Sequence, residues 1–207
     1  KEVLLAKHRL HECGLFDDEN LVRILDTHPE HDLGINTMGE RATRFEWHEG
    51  VRNGVASDLL LDLVRRGRLW INVRKVLHHH PAIAKAVDAI YDELELRSPG
   101  FLAQQRSANL LISSPGALVH YHLDVPVNML WHIRGVKRVW VYPLNERFVS
   151  QQHVEGICSG EFGEDLPYEA WMDEQAQVFD VEPGQMLTWP QNTPHRVTNL
   201  EGMNVSL

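Results

Sequence analysis

Apolar residues in the first hundred positions recur every three or four residues, which is the spacing of a helix with one buried face. Each such segment also carries a start signal, which is an acidic pair, a serine that can cap the helix, or a proline in the first turn. The helical segments are 19–28 after Asp17 and Asp18, 58–67 after Ser57, and 82–96 after Pro81. The stretch 69–77, LWINVRKVL, is rich in β-branched residues and predicts a strand between the last two helices. We therefore expect residues 1–105 to form a mixed, mainly helical region.

After Pro99 and Gly100 the pattern changes to short apolar runs separated by turn residues. Eight runs have the composition of strands: 108–114, 117–124, 127–133, 137–143, 176–181, 185–190, 195–200 and 203–207. The turn residues lie at 114–116, 134–135, 182–184 and 201–202. Short strands with regular turn signals predict an antiparallel sandwich or barrel. We expect a mainly β domain over residues 106–207, with the helices of 1–105 packed against it as one structural unit.

A long segment, 144–175, interrupts this series of strands. It is acidic and carries the aromatic residues Phe162, Tyr168 and Trp171. It is too long for a simple hairpin connection, and long ordered loops in compact domains are usually functional. Two interpretations are open: the aromatic residues pack on the N-terminal helices, or the segment is a lid over a site in the barrel.

Composition and charge argue against nucleic-acid and membrane partners. The chain has 29 acidic and 20 basic residues, for a formal charge of −9, which disfavours a nucleic-acid backbone as the main partner. No apolar run approaches the ~18–20 residues needed to span a membrane. Cys13 and Cys158 are too few for a disulfide framework, so a reducing cytoplasm is the expected compartment. We interpret the run His78–His80, which directly precedes Pro81, as a surface helix cap.

Residues 120–124, HYHLD, place His120, His122 and Asp124 at alternate positions of a predicted strand. Side chains two residues apart share a face of a strand, whereas residues four apart are separated by ~13 Å. A single ion can therefore take His122 with either His120 or Asp124, but not all three from a straight strand. His195, which begins a later strand, is the candidate third ligand. Two imidazoles and one carboxylate on one face of an ion suit non-haem Fe(II) and leave three positions open for co-substrates.

Residues 106–207 resemble the Jumonji-C-like branch of the cupin superfamily, which contains Fe(II)- and 2-oxoglutarate-dependent oxygenases. Three pieces carry the resemblance: ISSPGALVHYHLD at 112–124, WHIRGVKRVWVYP at 131–143, and EPGQMLTWPQNTPHRV at 182–197. Together they are specific, although any one alone is a weak signal. The resemblance implies a double-stranded β-helix flanked by helices, with Fe(II) and 2-oxoglutarate as cofactors.

The resemblance also assigns roles to individual residues. His122, Asp124 and His195 would be the iron ligands and the catalytic centre. Lys137 would pair with the far carboxylate of 2-oxoglutarate, and Asn128 would line the same pocket. Relatives often have a threonine that contacts the co-substrate three residues before the first ligand, and here that position is Val119.

A physical argument supports a cation at the co-substrate site. A dicarboxylate in an apolar barrel needs a positive charge at its distal end, because an unpaired buried charge is very costly. The region 201–207 contains no cation, and Arg196 adjoins His195, so its side chain should point to the opposite face. Lys137 or Arg138 must then serve, and the register of the turn favours Lys137.

Three functions remain as alternatives at this stage. The first is a 2-oxoglutarate-dependent hydroxylase acting on a protein or a small molecule, for which the sequence does not fix the oligomeric state and leaves a homodimer open. The second is a metal-dependent cupin that does not use 2-oxoglutarate, in which His120 and His122 supply two ligands. The third is a barrel without turnover that serves as a binding module.

Overall fold

The computed structural model of the protein describes residues 2–37 and 48–207. The helices are α1 (Asp18–Thr27), α2 (Ser57–Arg66), α3 (Val76–His79), α4 (Pro81–Arg97) and α5 (Gln151–Cys158). The strands are β1 (Leu4–Lys7), β2 (Leu33–Thr37), β3 (His48–Gly50), β4 (Leu69–Val73), β5 (Leu110–Ser113), β6 (Leu118–His122), β7 (Met129–Val141), β8 (Gln177–Val181), β9 (Gln185–Thr188) and β10 (His195–Ser206). Short 3₁₀ helices cover Leu10–Glu12, Glu30–Asp32 and Ala170–Gln175.

The start signals predicted for the N-terminal helices are mostly confirmed. Asp17 caps α1 by accepting a hydrogen bond from the backbone N–H of Asn20 at 2.8 Å, and Pro81 is the first residue of α4. Ser57 is instead the first residue of α2, and its hydroxyl donates to Asp26 Oδ1 at 2.6 Å, which ties α2 to α1. The strand predicted at 69–77 ends at Val73, because the chain turns through a left-handed residue and enters α3. Within the described ranges, no helix has the length and apolar composition needed to cross a membrane.

Strands β7 and β10 are long, and each belongs to both sheets of the barrel. The first part of β7 pairs with β9 and its second part with β8, while the first part of β10 pairs with β6 and its last part with β5. β7 and β10 also pair with each other along most of their lengths. Two antiparallel sheets that share two bent strands form a double-stranded β-helix. The predicted fold class, mainly β with flanking helices, is confirmed.

Glycines make the corners at which β7 and β10 pass from one sheet to the other. Gly135 has φ +79°, and a Cβ there would lie 2.5 Å from Asn204 Nδ2 and 2.9 Å from the backbone oxygen of Glu201. The register of β10 shifts at the same level, around Glu201, and is followed by Gly202 with φ +63°. The turns predicted at 134–135 and 201–202 are therefore bends within continuous strands. The eight strands predicted after residue 105 are accordingly six.

The sheet continues from the barrel into the N-terminal region. β5 pairs with β4, β4 with β2, and β2 with β3, while β1 pairs with β9 on the other side. A single apolar cluster joins residues from both regions, among them Leu25, Leu61, Ile71, Ile112 and Val205. The helices of the N-terminal region thus cover a sheet that starts at β3 and runs into the barrel.

The histidine run was predicted to cap a helix at the surface, and His80 is the N-cap residue of α4, but its side chain makes no capping hydrogen bond. His80 stacks on buried His28, with ring centroids 5.3 Å apart and His28 Nδ1 at 3.1 Å from His80 Nε2. His79 Nε2 lies 3.1 Å from the buried carboxylate of Asp32, which also accepts from Lys75 Nζ at 2.8 Å. These contacts join the end of α1 to the start of α4, so the run has a packing role.

The segment 144–175 packs on the barrel rather than on the N-terminal helices. Its buried apolar residues form one cluster with Tyr121 of β6 and with the residues that follow β6 and β7, Leu123 and Tyr142. The members of this cluster are Tyr121, Leu123, Tyr142, Phe148, Val149, Ile157, Leu166 and Met172. Tyr168 and Trp171 pack at its edge. The backbone N–H of Leu166 donates to Tyr121 O, and that of Leu123 donates to Glu164 O, so part of the segment extends the sheet beside β6.

Candidate metal centre

Three potential metal ligands meet where β6 ends and β10 begins. His122 and His195 are cross-strand neighbours, and their ring centroids lie 4.1 Å apart. Asp124 follows β6 and places Oδ2 at 3.1 Å from His195 Nε2 and Oδ1 at 3.7 Å from His122 Nε2. One donor atom of each residue lies within 4.8 Å of the other two, and no other group of histidine, cysteine or acidic residues in the described ranges meets this condition. The structure therefore joins His122 with Asp124 rather than with His120.

The outer nitrogens of both imidazoles are fixed by backbone carbonyls. His122 Nδ1 lies 2.7 Å from His120 O, and His195 Nδ1 lies 3.1 Å from Thr193 O. A carbonyl oxygen can only accept, so each Nδ1 carries a hydrogen, and Nε2 is the ring atom of each histidine that can bind a metal ion. Two imidazole nitrogens and a carboxylate oxygen then converge on one point, where a metal ion would bind.

The charge state at neutral pH also suits a divalent cation. Burial, with a further contribution from nearby His195, lowers the pKa of His122 to about 4. Burial alone would raise the pKa of Asp124, but its neighbours His195, His122 and Asn128 together lower it to about 2. His122 is therefore neutral and Asp124 ionised, which are the forms that bind metals.

A bulge in β6 explains why His120 is not part of this group. Between the pairs His195–His122 and Val197–Val119, β10 advances by two residues and β6 by three. The extra residue brings Val119 and His122 to the same face of the sheet, although their spacing in a straight strand would separate them. Val119 packs against the apolar cluster that includes Val139 and Val197, whereas His120 is fully buried outside the ligand group.

Lys137 is buried in the barrel without a counter-charge. It lies on β7 opposite Asn199, and its side chain shares a face with Val139 and Val141, the second of which pairs with His195. Only 4% of Lys137 is exposed, and burial lowers its pKa to about 8. In the part of the chain that the structure describes, its ammonium group makes no hydrogen bond or ion pair. Arg138, the other cation considered from sequence, points outward and binds Asp180 through two hydrogen bonds of 2.6 and 2.7 Å.

Asn128 lies closer to the ligand group than the sequence indicated. Its Nδ2 donates to Asp124 Oδ2 at 2.5 Å, and its backbone oxygen accepts from Thr188 Oγ1 at 2.7 Å. The role in lining a co-substrate pocket that the resemblance gave it stays a prediction. The observed contact instead connects it to Asp124.

Sequence reasoning missed Trp189 and Gln191, two neighbours of the centre. The Trp189 ring packs on His195 with centroids 4.4 Å apart, and Gln191 Nε2 donates to Val125 O at 2.8 Å. Both lie in the stretch 189–194 that joins β9 to β10. The only available signal was the position of this stretch immediately before His195. Sequence cannot show that a glutamine in such a turn reaches across to the loop that carries Asp124.

The fold is shared with solved structures of YcfD from Escherichia coli. One X-ray structure superposes with a TM-score of 0.66 at 19% identity, covering 100% of this chain and 48% of that one. A structure described as the ribosomal oxygenase YcfD with cobalt and 2-oxoglutarate gives 0.63 at 19% identity, covering 100% and 47%. A further structure with cobalt and succinic acid gives 0.60 at 18% identity, again covering 100% and 47%. The chain thus spans about half the length of these proteins, and identities this low show a common fold.

Family membership rests on the sequence itself. No curated protein matches the chain. The family model described as Cupin-like domain matches residues 72–207, which is about two thirds of the chain and includes β5 to β10. This match begins within β4 and so crosses the boundary predicted at residue 105. The chain therefore belongs to the Cupin-like domain family.

Proposed function

We propose that the protein is an Fe(II)- and 2-oxoglutarate-dependent oxygenase that hydroxylates its substrate. The observation that carries the proposal is the combination of two features in one barrel. The first is the group of His122, Asp124 and His195, and the second is the buried, unpaired Lys137. A bound 2-oxoglutarate would contact both features, with one end at the metal and the far carboxylate at Lys137.

His122, Asp124 and His195 would hold the metal. Two imidazole nitrogens and one carboxylate oxygen are the donor set preferred by non-haem Fe(II), and they leave further positions open. When bound, iron and 2-oxoglutarate supply the oxidising chemistry, while the protein binds, orients and excludes water. His120 and Thr193 contribute through their backbone oxygens, which keep each Nδ1 protonated and each Nε2 available.

Lys137 would hold the far carboxylate of 2-oxoglutarate. The residue lies four positions before Val141, the partner of His195, and four residues of strand span ~13 Å. A lysine side chain and a five-carbon diacid together cover a gap of this order. The barrel wall between Lys137 and the ligand group is apolar and includes Val119, Val139 and Trp189. An apolar wall excludes water, so the charge pair would be strong.

The two alternative functions explain less of the site. A cupin without 2-oxoglutarate would use His120, which lies outside the ligand group, and would not account for the buried charge of Lys137. A binding module without turnover would have no need for the metal-binding atoms of His122, Asp124 and His195 to converge on one point. The hydroxylase accounts for both features at once.

For the substrate we propose a protein. The comparison structures are described as ribosomal oxygenases, and a protein target is one of the two substrate classes considered from sequence. A small-molecule substrate is the alternative. The direct test is to incubate the protein with Fe(II), 2-oxoglutarate and oxygen and to measure succinate with and without ribosomal protein extract. Succinate formation that needs iron and rises with the extract supports the proposal, and its complete absence would contradict it.

Variants of the three ligands should separate the hydroxylase from the rival cupin. His122→Ala or Asp124→Ala is expected to weaken Co(II) or Fe(II) binding by at least about tenfold, because a site with three protein ligands has none to spare. His120→Gln should bind the metal as the wild type does. Anaerobic calorimetry measures the affinities, and circular dichroism checks that each variant is folded. Loss of binding in His120→Gln, together with retention in Asp124→Ala, would favour the rival ligand set.

A further inference from the structure

The loop that carries Asp124 is fixed at both ends by side chains. Gln191 Nε2 donates to Val125 O at 2.8 Å on one side, and Thr188 Oγ1 donates to Asn128 O at 2.7 Å on the other. Within the same loop Asn128 Nδ2 donates to Asp124 Oδ2 at 2.5 Å. The loop 123–128 is therefore attached to the chain before β10, and the orientation of the Asp124 carboxylate is set within it.

The two carboxylate oxygens of Asp124 have different surroundings. Oδ2 accepts from Asn128 and also faces His195 Nε2, whereas Oδ1 lies nearer His122 Nε2 and has no other partner among the described residues. A hydrogen bond to a charged acceptor is stronger than one between neutral groups. Turning the carboxylate so that both oxygens approach one ion would break this bond and leave a half-buried amide group without its acceptor.

We infer that Asn128 is a positioning residue that restricts Asp124 to binding the metal through one oxygen. The inference rests on the proposed function. With one oxygen from Asp124 and one nitrogen each from His122 and His195, an octahedral ion keeps three positions open. Two-oxygen binding by Asp124 would close one of them. Because 2-oxoglutarate takes two positions, the number left open decides whether anything else can bind.

This role differs from the one that the family resemblance gives to Asn128. A residue that lines the co-substrate pocket contributes only when 2-oxoglutarate is present. A residue that orients Asp124 acts on the metal site before any co-substrate binds. The two roles are separable by counting the open positions in the metal-loaded protein without 2-oxoglutarate.

The test is the near-isosteric variant Asn128→Leu, with Thr188→Val as its matched control. Thr188→Val removes the hydrogen bond to the backbone of residue 128 but leaves the amide contact with Asp124 in place. Both variants and the wild type are loaded with Mn(II), and water proton relaxation counts the waters bound to the ion. Calorimetry on the same samples then gives the affinity for 2-oxoglutarate.

We expect Asn128→Leu to lose one bound water relative to the wild type, because the second oxygen of Asp124 replaces it. Affinity for 2-oxoglutarate should fall by about tenfold or more, since the co-substrate must displace that oxygen. Thr188→Val should keep the water count of the wild type.

Other outcomes would overturn the inference in distinguishable ways. An unchanged water count in Asn128→Leu with weaker 2-oxoglutarate binding would assign the residue to the co-substrate pocket. An unchanged number of bound waters with unchanged 2-oxoglutarate affinity would show that Asn128 has only a structural role in the loop. A wild-type protein that takes up no Mn(II), Co(II) or Fe(II) would instead contradict the proposed function.

Discussion

Replacing Lys137 with methionine is expected to weaken 2-oxoglutarate binding strongly and to stabilise the protein when no ligand is present. The side chain is 4% exposed and its ammonium group has no counter-charge among the described residues. A bound dicarboxylate that loses its cation would lose about 2–4 kcal/mol of binding free energy, or roughly 30- to 700-fold in affinity. Methionine has a similar length and brings no charge, so it fits the same space without the cost of burying an ion.

The gain in stability follows from the lowered pKa of the lysine. Burial lowers the pKa of Lys137 from 10.5 to about 8, and each unit corresponds to 1.36 kcal/mol. Keeping the group charged in the folded state at pH 7 thus costs about 2–4 kcal/mol, which Lys137→Met should recover as free energy of unfolding. Between pH 8 and 10.5 the unfolded state binds the proton that the folded state has released. The stability of the wild type relative to the variant therefore rises over this range, and the difference closes towards pH 10.5.

Arg138→Met provides the matched control for this prediction. Arg138 is the adjacent cation, and it is partly exposed and paired with Asp180. Its loss should change the free energy of unfolding by no more than about 1 kcal/mol and leave 2-oxoglutarate binding intact. Urea denaturation at pH 7 and pH 10 and calorimetry with metal-loaded protein measure both effects. If Lys137→Met binds 2-oxoglutarate as tightly as the wild type, the co-substrate assignment has lost its main support.

The strands of the barrel were largely predictable, but their continuity was not. Alternating apolar residues and turn signals located every strand from β5 to β10. The same local signals cannot separate a chain reversal from a bend. Gly135 is required because Asn204, almost seventy residues later, occupies the space where a Cβ would lie, and only the folded structure contains that contact.

The candidate site was predictable as a set of residues but not as a geometry. Spacing limited the choice to His122 with either His120 or Asp124, since a straight strand cannot bring all three together. The bulge between Val119 and His122, which brings Val119 into the barrel, depends on register with β10 and leaves no mark in local sequence. The resemblance assigned Asn128 to the lining of the co-substrate pocket, whereas in the structure it donates a hydrogen bond to Asp124. A hydrogen bond between loop residues four positions apart depends on the conformation of the loop, which the sequence does not show.

Replacing residues 156–170 with a short Gly-Ser linker is expected to give unfolded or insoluble protein. Sequence left open whether the segment 144–175 is a lid or a packing element. In the structure it places Ile157 and Leu166 in a buried cluster with Tyr121 and Leu123, and its backbone pairs with the strand that carries His122. Removal would expose this cluster and leave one edge of β6 unpaired, next to the ligand group.

Two point variants make this prediction sharper than the deletion alone. Leu166 is 1% exposed, so Leu166→Ala should lower the free energy of unfolding by about 2–5 kcal/mol. Glu161 is exposed in the same segment, and Glu161→Ala should change it by no more than about 0.5 kcal/mol. Thermal melting and Co(II) binding are measured for all three variants, and metal affinity should fall with Leu166→Ala because the support of His122 weakens. A deletion variant that melts and binds Co(II) as the wild type does, but has lost substrate-dependent succinate formation, would show instead that the segment is a lid.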